Sequence, residues 1–106
     1  MVISILTRTV RSKDRAQWQP QLAAVLPRIK AVLDDAPGFV SVEYLWGVHG
    51  EGETAQITTW QTLEDCQRYV RQGDAATVAT LEEAAIPTAV HPDGRWVRQT
   101  YEVVEA

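Results

Sequence analysis

Cysteine occurs once in this chain of 106 residues, as Cys66. A single thiol excludes an internal disulfide framework and a multi-cysteine metal site. Lysine and arginine are few and scattered, with no run of them, and the formal net charge is -4. Nothing here forms the basic patch of a nucleic-acid binder, so no nucleic-acid partner is expected. No apolar run approaches the ~20 residues that span a bilayer, and no membrane partner is expected. Met1 to Val10 alternates apolar with polar residues and contains Arg8, unlike a signal peptide, so the expectation is a cytoplasmic protein. No Gly-rich phosphate loop, no His–Asp–Ser arrangement and no Asp/Glu metal cluster can be found. Gly50-x-Gly52 is too short for a nucleotide fingerprint.

What is present reads as one globular domain. Hydrophobic residues make up 45% of the chain and charged residues 23%, which argues against disorder. A domain of this size buries roughly 65% of its unfolded surface, enough for a thin core. Val2 to Val10 alternates, with Ile3 and Ile5 on one face and Val2, Ser4 and Leu6 on the other, as a first strand should. Ser12 is placed to cap the next helix. From Lys13 to Asp35 the apolar period changes to three and four: Trp18, Leu22, Val25, Leu26, Ile29, Val32 and Leu33 share a helix face. Pro20 and Pro27 predict a kink, or a break that makes Pro20 a first-turn residue. Pro37-Gly38 ends the segment.

Phe39 to Val48 reads as a second strand, with Val40, Val42, Tyr44, Trp46 and Val48 on one face and Phe39, Ser41, Glu43 and Leu45 on the other. His49 to Gly52 is a hairpin loop. Glu53 to Trp60 is a third strand, and Thr62-x-x-Asp65 resembles a capping box that opens a helix. Leu63, Cys66 and Val70 follow at helical spacing. Gly73-Asp74 interrupts, and Asp74 caps a second segment in which Val78, Leu81 and Ala85 share a face. Ile86-Pro87 stops it, Thr88 to Gly94 is a loop, and Arg95 to Glu105 is the last strand.

The order is βαββαβ, the ferredoxin-like α+β plan: a four-stranded antiparallel sheet with its helices on one face. The second strand is apolar on one face and only partly polar on the other, which predicts burial on both. One chain has too few helices for that. The expectation is a homodimer with the two sheets packed face to face.

Pro37-Gly38-Phe39, followed by the strand pair ending in Trp60 and a capped helix, resembles the antibiotic biosynthesis monooxygenase-type domains of the dimeric α+β barrel superfamily. The most characteristic match is Ile57-Thr58-Thr59-Trp60-Gln61-Thr62-Leu63-Glu64-Asp65. The resemblance implies a homodimer and, in one branch, cofactor-independent oxygenation of small aromatic phenols. Such chemistry uses neither metal nor cofactor. The haem-degrading branch would require a histidine on the second helix and an asparagine near the first strand. Leu63 to Leu81 contains no histidine, and the chain contains no asparagine.

The resemblance also points to site residues. Trp60 matches a pocket-lining tryptophan; it either walls a flat substrate or closes the strand–helix junction. Gln56 falls where some members carry an asparagine and can donate a hydrogen bond. Tyr44, Trp46, Tyr69 and Tyr101 can line an aromatic pocket, or serve as core and interface. Arg8 and Arg98 can each hold a phenolate or carboxylate, or form a structural ion pair in which Glu43 is the candidate partner. Cys66 reads as a small buried hydrophobe. Two functions follow: a monooxygenase of a small aromatic or phenolic compound, or a non-catalytic dimeric binding or scaffold domain.

Overall fold

The computed structural model describes residues 1–89 and 97–105. The elements run β1 (Val2–Thr9), α1 (Arg15–Asp34), β2 (Phe39–Trp46), β3 (Glu53–Trp60), α2 (Leu63–Arg71), α3 (Asp74–Ala85) and β4 (Val97–Glu102). One sheet holds all four strands in the order β2-β3-β1-β4, with every neighbouring pair antiparallel. This is the expected ferredoxin-like α+β architecture, with the second helical segment divided in two. Arg95, Trp96 and the His91-Pro92-Asp93-Gly94 turn of the sequence reading lie outside the described residues.

Strand alternation sends Val2, Ser4, Leu6 and Arg8 of β1, and Thr54, Gln56, Thr58 and Trp60 of β3, toward the helices, where all are buried. Helix α1 lays Trp18, Leu22, Val25, Ile29 and Leu33 on this face. Its cap is Asp14 rather than Ser12: the Asp14 carboxylate accepts from Ala16 N at 2.9 Å. Neither proline breaks the helix. Both stand on the exposed side, and the carbonyls that lose a donor belong to the exposed residues Ala16 and Ala23, where water can replace the bond.

Three sequence expectations for β2 are corrected. A bulge at Val40 pairs Phe39 with Trp60 but Ser41 with Thr59, which turns Phe39 inward beside Val42, Tyr44 and Trp46. Val40 and Val48 are exposed, and the strand stops at Trp46. Glu43 points outward, opposite Ile57, and so cannot pair with the inward-facing Arg8. In the second helical segment Cys66 and Tyr69 are the buried residues of α2, whereas Leu63 and Val70 are exposed. Thr62 caps α2 as expected, its Oγ1 accepting from Asp65 N at 3.1 Å. The residue before α3 is Gly73 in the left-handed region, and Asp74 adds negative charge to the first turn without capping it.

Two glycines are required where they stand. At Gly38 (φ +79°) a Cβ would lie 2.1 Å from Asp65 Oδ2. At Gly52 (φ +72°) it would lie 2.6 Å from the Val10 carbonyl oxygen, because Val10 N donates to Gly52 O at 2.8 Å. The hairpin is thereby tied to the end of β1. The outer face of the sheet carries Ile3, Ile5, Leu45, Ala55, Ile57, Val97 and Tyr101, and no helix among the described residues covers it.

Candidate functional site

The centre of the helix-facing sheet surface is polar, although an apolar core would be cheaper. The register sets Tyr44 of β2, Gln56 of β3 and Leu6 of β1 side by side, with Arg8 one inward position further on. Helix α3 supplies the fourth polar group. Ala75, Val78, Glu82 and Ile86 follow at spacings of three and four, so Glu82 falls within the buried stripe and is only 3% exposed.

These groups interlock. Gln56 Nε2 donates to Glu82 Oε1 at 3.1 Å and to Tyr44 Oη at 3.1 Å. Gln56 Oε1 is buried and has no partner among the described residues. Arg8 Nη2 donates to Ile86 O at 2.6 Å, and its Nη1 lies 3.8 Å from Glu83 Oε2. Leu6, Arg8, Trp18, Tyr44, Gln56 and Glu82 surround a gap of about 10 Å³. That is room for one water molecule.

Burial dominates the electrostatics. It pushes the Glu82 carboxyl up to about 7, against the opposing pull of Arg8, the Tyr44 hydroxyl and the Gln56 amide. Burial, and next the Glu82 charge, push the Tyr44 hydroxyl up, so it stays protonated as a donor. Burial lowers Arg8 while Glu82 and Glu83 raise it; a guanidinium remains a cation here. A carboxyl that can change charge near neutrality, beside a fixed cation and two neutral hydrogen-bonding groups, has the parts of a general base.

Of the residues singled out from sequence, Arg8, Tyr44 and Gln56 meet at this cluster. Trp46 stands next to it, its ring 5.1 Å from that of Trp18, which lines the gap. Trp60 and Tyr69 lie together further along the sheet, ring centroids 4.7 Å apart, with Phe39 at 5.7 Å from Trp60. Trp60 is fully buried, and its Nε1 donates to Thr58 Oγ1 at 2.9 Å. Tyr101 sits on the opposite face of the sheet, 47% exposed, and its hydroxyl donates to Gln99 Oε1. Arg98 faces inward and donates to Ser4 Oγ at 2.8 Å. Glu82 was missed by the sequence reading, which followed Val78, Leu81 and Ala85. The signal was an acid four residues after Val78 and four before Ile86.

Known structures share this fold over nearly the whole chain. The cofactor-independent oxygenase SnoaB of Streptomyces nogalater aligns at TM-score 0.67 and 18% identity, covering 99% of this chain and 94% of its own. The monooxygenase from the ActVA-Orf6 gene of Streptomyces coelicolor, solved with nanaomycin D, aligns at 0.67 and 17%, covering 99% and 88%. A Bordetella bronchiseptica protein assigned as an antibiotic biosynthesis monooxygenase aligns at 0.67 and 15%, covering 98% and 97%. No family model matches the sequence, and neither does any curated protein. The fold of this chain is that of the antibiotic biosynthesis monooxygenase domains.

Proposed function

We propose that this protein is a cofactor-independent monooxygenase of a small phenolic compound, acting as a homodimer in the cytoplasm. The observation that carries the reading is the buried Arg8–Tyr44–Gln56–Glu82 cluster, with Glu82 held near neutrality. In this reading a phenolic O–H gives its proton to the Glu82 carboxylate. The electron pair left on the phenolate oxygen and ring is stabilised by the Arg8 guanidinium. The electron-rich ring carbon then reduces O2 and forms a C–O bond, giving a hydroperoxide. Loss of the remaining C–H proton and cleavage of O–O release water and leave a quinone carbonyl. The substrate is the reductant and O2 the oxidant, so the step balances without a further redox group. A ring enters only if the Trp18 or Ile86 side chain swings aside, because the gap is one water wide.

That gap favours a second reading, a non-catalytic dimeric binding or scaffold domain in which the aromatic side chains only pack. Oxygen uptake with hydroxylated naphthalenes and anthrones, run beside thermal shift, separates the two. Uptake that Glu82→Gln abolishes supports the oxygenase. No uptake and no thermal shift across the panel leaves the second reading.

A further inference from the structure

The helical layer does not reach the whole sheet. Strand β4 is held by its pairing with β1 and has no substantial contact with any helix. Its inward-facing Arg98 and Thr100 therefore border an open cleft of about 400 Å³, whose other wall is α2. The sequence pattern places Leu63, Cys66 and Val70 on one stripe of α2. Only Cys66 is covered: Leu63 is 49% exposed and Val70 43%, both lining the cleft. Arg71 lines it as well.

The charge of the cleft runs against that of the chain. Net charge is -4, yet two arginines and no acidic side chain line this surface. Neither Arg71 nor Arg98 forms a close ion pair among the described residues, although Arg98 acts on Glu82 at longer range. Arg98 is also built in place. It is half-buried, and its Nη1 is held by the hydroxyl of Ser4, itself fully buried, which steers the guanidinium at the cleft floor. A fork of donors on one wall and an uncovered apolar stripe on the other complement one kind of ligand.

We infer that the α2–β4 cleft binds a small organic anion, a carboxylate on an apolar body, with the carboxylate on Arg98 and the body against Leu63 and Val70. Binding is non-covalent, since burial pushes the Cys66 thiol up and away from a reactive thiolate. The cleft is lined by other residues than the interior gap, although Arg98 also acts electrostatically on Glu82, and the inference does not rest on the oxygenase reading.

The test titrates 15N-labelled full-length protein with 2-naphthoate and with its neutral counterpart 2-naphthalenemethanol. Expected are saturable amide shifts at Leu63, Cys66, Val70 and Thr100 for the acid, with the alcohol bound at least tenfold more weakly. A hydrogen bond to a charged group is worth enough that Arg98→Gln should weaken naphthoate about tenfold or more. Arg71→Gln, at an exposed helix end, is the second variant should Arg98→Gln fail to fold, with a smaller loss expected. Glu82→Gln should abolish any oxygen uptake while naphthoate still binds the cleft, no more weakly than in the parent, since the variant removes a negative charge that acts on Arg98. The inference is overturned by no saturable shift at millimolar ligand, by equal affinity for acid and alcohol, or by shifts centred on Tyr44 and Gln56.

Discussion

Gln56 of β3 and Glu82 of α3, 26 residues apart in the sequence, meet at 3.1 Å inside the core. The contact orders both groups: the amide nitrogen faces two acceptors, Glu82 and Tyr44, which leaves the amide oxygen buried with no partner among the described residues. A buried carboxyl so placed makes stability depend on pH.

The sign follows from linkage. Glu82 is raised in the folded state, from 4.5 to about 7, so the fold favours its protonated form. Its stabilising share is complete below pH 4.5 and is lost as pH rises to about 7. The loss is on the order of 3 kcal/mol. Urea unfolding at pH 5 and pH 8 should show it, and Glu82→Gln should flatten the difference. An unchanged slope in the variant would assign the pH dependence elsewhere.

Arg8→Met should be severely destabilising, by about 3–5 kcal/mol above pH 7, because it leaves the Glu82 charge buried without its main cation. The double variant Arg8→Met/Glu82→Leu should recover most of that loss. A double-mutant cycle by chemical denaturation measures the coupling; additive effects would mean that Arg8 answers only to Ile86 O and Glu83.

Gly38→Ala should cost about 1–3 kcal/mol, from positive φ and from overlap with the Asp65 carboxylate. Asp65→Ala alone should be milder. Combining it with Gly38→Ala should relieve the overlap but not the backbone strain. Thermal unfolding of the three variants apportions the two contributions.

The outer sheet face should close a homodimer through Ile3, Ile5, Leu45 and Ile57. Sedimentation velocity at micromolar concentration should give a dimer for the parent chain. Ile57→Asp should give a monomer, or an aggregate, since it puts a charge in the middle of the buried patch. A parent chain that sediments as a monomer would remove this interface from the account.

Much of the fold was legible because its signals are periodic. β1 and β3 alternate cleanly, and the stripe on α1 keeps its phase through Pro20 and Pro27. What failed to show was aperiodic. The Val40 bulge shifts Phe39 by one face, and strict alternation cannot announce an inserted residue. Three of the four cluster residues were also readable: Arg8, Tyr44 and Gln56 are polar or aromatic residues on inward strand positions. Glu82 was not, because a charged residue on a helix is ordinarily solvated, and only tertiary packing buries this one. Tyr101 was drawn toward the pocket by its aromatic character, yet strand parity puts it on the other face.

The clamp between Gly52 and Val10 has a practical corollary. Gly47 N also donates to Glu53 O at 2.8 Å, so the hairpin is fastened at its base while Val48, His49 and Gly50 stand in solvent. Foreign residues spliced between His49 and Gly50 would extend a tip whose attachment points are already secured. A fluorophore or an affinity peptide carried there would report on the molecule without disturbing its interior.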